Sequence, residues 1–211
     1  MEAARTLVAP LLGRFGTVTL VRKIAAEILY ASGDPLSAAS LFEHVAKKLP
    51  GDPTVVVGLV ASYAALNRAG DARRSAVLLP KHVDVRLALA WSELVALGGD
   101  PERGAGLVAL IVTDPDLARS AERVGMHHAL EAIVAARSHD RDGARAKLHA
   151  SQLTAAKLRA ADRAFLGYLS GVALREAGLV DDARATFALA MDASPESIGA
   201  ALARRERAPL S

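Results

Sequence analysis

The sequence predicts an all-α protein built as a row of helical hairpins, about five helix pairs closed by a C-terminal capping helix. Three observations lead there. Apolar residues recur at helical spacing along nearly all of the 211 residues. Short Gly/Asp/Pro clusters cut this periodicity into segments of about 10 to 20 residues, the length of hairpin helices. A skeleton of residue types also repeats. GDPLSAASLFEHVAKKLP at 33–50 and GLVDDARATFALAMDASP at 178–195 each set a Gly, an Ala five residues on, a Phe four after that, and a closing Pro.

Composition agrees. Apolar residues make up 52% of the chain but aromatics only 4%, and alanine is about a fifth. Ala and Leu lose little side-chain entropy in a helix, and alanine surfaces let helices approach closely. The segments VTLV and TVVVGLV are β-branched, yet each runs straight into a helical pattern and reads as a helix start.

In chain order, residues 1–18 predict a short helix interrupted near Pro10, a leading cap or a self-association element. A first pair spans about 19–50, marked by Leu29, Gly33, Ala38, Phe42 and Pro50. A second, 53–84, carries Leu59, Tyr63 and Ala72 and ends its short second helix at Pro80. A third, 85–116, carries Trp91, Val95, Gly99, Gly104 and Val108, with Trp91 read as core. The fourth, 117–155, departs most: its first helix, DLARSAERVGMHHALEAIVAARSHD, is several residues too long. The last, 164–195, is the most regular. Gly178 can take the left-handed conformation that ends a helix. Ala183, Phe187 and Ala190 share one face at i, i+4 and i+7. Pro195 is placed to open the next helix with Ser194 as its N-cap. Residues 196–211 read as a capping helix and tail.

Ala38 and Ala72 lie 34 residues apart, and a two-helix unit of that period resembles the tetratricopeptide repeat (TPR). The resemblance is sharpest in Gly171, Leu174, Gly178, Ala183, Phe187, Ala190 and Pro195 of the last pair. It implies a right-handed superhelix whose first helices line a concave groove for a partner polypeptide. The implied groove residues are Lys23, Glu27 and Tyr30; Val57 and Ala61; Arg86, Leu89 and Glu93; and Tyr168 and Arg175. One subtype of the family grips a C-terminal carboxylate with Lys, Asn and Arg. Here Lys23 alone fits, with Glu27, Gly58 and Ala90 where polar partners are needed, so no such clamp is expected.

Other function classes find little support. Net charge is +3, from 26 basic and 23 acidic side chains, and the basic pairs are scattered along the chain. That argues against a nucleic-acid face, which needs clustered Lys and Arg. The chain has no cysteine, hence no thiolate chemistry. No apolar run reaches the roughly 20 residues of a bilayer span. Arg14 interrupts the first apolar stretch, so no signal peptide is expected and the predicted location is cytoplasmic.

No serine sits in a nucleophile elbow, and GGDPERGAG matches no phosphate loop. An enzyme is not expected, nor any cofactor. His127, His128 and Glu131 are weak metal candidates. Adjacent histidines point about 100° apart on a helix, so only one is expected to share the face of Glu131, on an exposed polar surface. The predicted function is a non-catalytic adaptor or scaffold that binds a peptide or amphipathic helix, in assembly of a larger bacterial complex. The alternative is a regulatory or dimerisation module acting on a separate DNA-binding protein or enzyme.

Overall fold

Three Gly-Asp-Pro triplets, at 33–35, 51–53 and 99–101, each start a helix. The aspartate side chain accepts the amide hydrogen bonds a first turn leaves open, and proline follows where its missing N–H costs nothing. Asp34 takes the amide of Ser37, Asp52 those of Thr54 and Val55, and Asp100 that of Arg103. Ser120, Asp140 and Ser197 cap three further helices in the same way.

The structure, a computed structural model, describes residues 2–210. These form twelve α-helices and no strand. They divide into two compact units, the boundary falling between Gly99 and Asp100. The first unit holds α1 (Glu2–Phe15), α2 (Thr19–Ala31), α3 (Pro35–Ala46), α4 (Pro53–Ala65), α5 (Ala69–Ala76) and α6 (Val83–Val95). Here α2 packs on α3 and α4, α4 on α5 and α6, and α1 on α2. The second unit holds α7 (Pro101–Ile111), α8 (Ala121–Arg137), α9 (Arg141–Ala155), α10 (Ala160–Glu176), α11 (Val180–Ala193) and α12 (Ile198–Arg207). There α8 packs on α9 and α10, and α10 packs on α9, α11 and α12.

Four hairpins share one turn. The helix ends at a residue in the left-handed region, namely Gly33, Asn67, His139 or Gly178, with φ of 80°, 58°, 60° and 77°. The next residue donates its amide to a carbonyl five residues back: Asp34 to Leu29, Arg68 to Tyr63, Asp140 to Ala135 and Leu179 to Leu174. This is a Schellman ending, which satisfies carbonyls a helix terminus leaves open. The same residue is already the N-cap of the following helix. Between α6 and α7 this turn is missing. Ala96 is extended and five residues connect the two helices, so the pair the sequence joins at 85–116 falls on both sides of the division.

Small residues set the close approaches. Ala38, Ala72 and Ala183 are fully buried. A Cβ on Gly171 would lie 2.4 Å from the Phe187 ring, and one on Gly58 2.4 Å from the Phe42 ring. A Cβ on Gly199 would meet the backbone of Phe165 at 2.4 Å, so α12 lies directly on α10 as the capping helix.

Three local expectations are corrected. The first helix runs unbroken through Pro10, which lies on an exposed side where water can take the place of the bond a proline cannot donate. Ser197, not Ser194, caps α12, and Pro195 lies in the preceding turn. The long segment from residue 117 begins with a 3-10 turn, Leu117–Arg119, and α8 starts only after Ser120.

Candidate functional site

On α2, Lys23, Glu27 and Tyr30 fall at i, i+4 and i+7 and remain partly exposed. Val57 on the neighbouring α4 and Arg86 on α6 are partly exposed too. Lys23 is held in place: its ammonium lies 2.7 Å from Asp52 at the start of α4. Burial acts to raise the Asp52 carboxyl, but the Lys23 ammonium and the amides of Val55 and Thr54 outweigh it and hold the carboxyl below its usual range. Arg86 donates to the carbonyl of Pro80 at 3.0 Å.

Four of the expected groove residues do not reach a surface. Ala61, Leu89, Glu93 and Tyr168 are buried. Every residue from Leu59 to Ala65, from Leu87 to Leu94, and from Tyr168 to Ala173 is buried, so these stretches of α4, α6 and α10 are enclosed on all sides. For α10 the enclosing helices are α8, α9, α11 and α12. The signal was present in the sequence: VVVGLVASYAA and LALAWSELV are apolar nearly all round, and such helices are buried ones. Glu93, 1% exposed, is a structural partner of Arg73, which donates from Nε at 2.6 Å and from a terminal nitrogen at 2.5 Å. Arg175 is half-buried and paired with Glu206 and Glu176.

The histidine pair also differs from expectation. His127 is 3% exposed, and its Nε2 lies 3.0 Å from the carbonyl of Val108. Both imidazoles reach Glu131: Nδ1 of His128 lies 3.0 Å from its Oε2 and Nδ1 of His127 3.5 Å. The reason is angular, because the i+3 and i+4 positions place Glu131 between the two histidine directions. One ligand atom from each residue falls within 4.8 Å of the others, a cluster that suits a divalent cation by residue type. The carboxylate is also engaged by Lys147, whose ammonium lies 2.8 Å from Oε1. Burial acts to raise Glu131, while Lys147, His128 and His127 hold it low. A cation here would have to share the carboxylate with that ammonium.

No helix among the described residues is long and apolar enough to cross a membrane. No family model matches the chain, and no curated protein matches it. Among solved structures the chain is similar to a thermophilic TPR protein of Thermus thermophilus. The two are 21% identical, the match covers 92% of this chain and 98% of that one, and the TM-score is 0.61. Paired helices, glycine-relieved contacts and that likeness lead to one conclusion: the chain has the fold of a tetratricopeptide-repeat protein.

Proposed function

We propose that the protein is a non-catalytic adaptor that binds a partner polypeptide and serves assembly of a larger bacterial complex. The partner contacts Lys23, Glu27 and Tyr30 on α2, Val57 on α4 and Arg86 on α6. The observation that carries this reading is the row of partly exposed side chains along α2 beside α4, where cation, anion, phenol and aliphatic surface stand together. A peptide or amphipathic helix offers complementary groups to such a mixture. Tyr168 and Glu93 drop out because they are buried, and Arg175 because it is spent on two glutamates.

The test is an affinity pull-down from the native organism with wild type, Tyr30→Ala and Arg86→Glu, each checked for an unchanged helical spectrum. The expected result is a partner recovered with wild type and at least tenfold depleted with both variants. Equal recovery from all three rejects the surface.

A second reading, a regulatory or dimerisation module, draws on a separate observation. Leu7, Leu11 and Phe15 recur along α1 and are 40–60% exposed, and Leu20 and Ile24 on α2 are exposed as well. Apolar surface of this kind marks association sites. Light scattering decides: a stable dimer that Leu11→Glu converts to monomer favours it, and a monomeric wild type removes it.

A further inference from the structure

The ending of α10 does something the other three Schellman turns do not. Its C″ residue, which elsewhere is Asp34, Arg68 or Asp140, is here Leu179. Leu179 packs against the buried Ala136, Ala144 and Ala177, and Leu174, whose carbonyl accepts its amide, lies five residues back. The two leucines, with Leu148 of α9, line a cleft of 360 Å³ between α9 and α11. That volume is within the roughly 300–1,000 Å³ of ligand clefts.

The walls have opposite character. Arg145, His149 and Gln152 follow one another at i, i+4 and i+7 along α9. Asp182 and Thr186 do so at i and i+4 along α11. Among the described residues none of these five side chains makes a hydrogen bond or ion pair, although the protein pairs Arg73, Arg137, Arg159 and Arg175 elsewhere. A guanidinium, an imidazole and an amide stand on one wall, a carboxylate on the other, and leucines between them.

We propose that this cleft is a second binding site, which takes a short leucine-bearing peptide segment of a partner protein. Charge complementarity defines the occupant: an acidic residue faces Arg145 and His149, a basic residue faces Asp182, and leucine side chains enter between Leu148, Leu174 and Leu179. Gln152 and Thr186 supply donors and acceptors for the segment's backbone. The site lies within the second unit and does not depend on the α2 surface proposed above.

The chain's lack of cysteine makes the test clean, because Leu153→Cys at an exposed position beside the cleft gives one labelling site for an environment-sensitive dye. The probe is a synthetic 12-residue peptide with two leucines four residues apart, glutamate on one flank and lysine on the other. The full-length labelled protein is expected to show a saturable signal, weakened at least tenfold by Asp182→Lys and by serine in place of the peptide leucines. A peptide with glutamate in place of the lysine is expected to recover binding to Asp182→Lys, which a merely misfolded variant would not allow. Tyr30→Ala is expected to leave the signal unchanged, which separates this site from the first. An absent signal, equal binding by Asp182→Lys, or a signal that rises with protein concentration alone through self-association would overturn the proposal.

Discussion

Arg73 and Glu93 show how much one side chain can decide. Glu93 lies in a helix with no exposed side through its middle, and a lone carboxylate there would be strongly destabilising. Two hydrogen bonds from Arg73 offset its desolvation, and the same guanidinium also reaches the carbonyl of Gly98 at 3.1 Å. Arg73→Ala is expected to cost about 3–5 kcal/mol, because it takes two charged hydrogen bonds from a buried carboxylate. Urea denaturation measures it, and a loss below about 1 kcal/mol would show that Glu93 finds water or another partner. The exposed pairs, such as Arg159 with Asp162, are worth far less, because water and salt screen them. Asp34 carries a smaller version of the same logic. Burial acts to raise its carboxyl, but Arg5 and Ser37 hold it low. Stability from Asp34 and Asp52 is therefore present above the unfolded aspartate value of about 3.9 and lost as pH falls through their lower folded values. In the sequence Glu93 reads as a groove residue, because the repeat resemblance places it on the inner side of a first helix. Nothing in the one-dimensional pattern links it to an arginine 20 residues earlier.

At the scale of the helix pair, the repeated turn is the organising device. One residue ends a helix and its successor begins the next, so only three residues separate each pair. Gly33 and Gly178 were legible in the sequence because glycine at a helix end signals the left-handed region. Asn67 and His139 were not, since both are side-chain-bearing residues held there by the same hydrogen bonds. A residue with a Cβ in that region costs roughly 1–2 kcal/mol. Opposite signs follow. Gly178→Ala is expected to lower stability by about 1 kcal/mol, and His139→Gly to raise it by up to about 1 kcal/mol. Thermal or urea melts of the two variants check this, and shifts of the same sign would mean that the turns are not equivalent. The pairing of helices and the buried alanines were readable because periodicity and spacing report on faces. The enclosure of α4, α6 and α10 required knowing how many neighbours each helix has.

At the scale of the molecule, the connection at residues 96–100 stands apart. Leu97 is 80% exposed, the highest value among the described large apolar residues, and Gly98 has a φ of 73°. Exposed connections with glycines are preferred sites of proteolytic nicking. Limited digestion with thermolysin is expected to cut first beside Leu97 and to leave two resistant pieces of about 97 and 114 residues. Initial cleavage within any hairpin would contradict the two-unit organisation. The sequence reading places a looser helix pair across this point, with Gly99 and Gly104 at the turn and small-residue positions of the repeat. The backbone there lacks the ending that makes the other pairs.

The doubly used turn residues also dictate where this protein tolerates change. Adding one amino acid at Asn67 or Gly178 would uncouple the stop of one helix from the start of the next and lose the shared hydrogen bonds of that turn. Length variation, affinity tags and grafted epitopes therefore belong in the looser joint at 112–120, whose ends are set by separate caps.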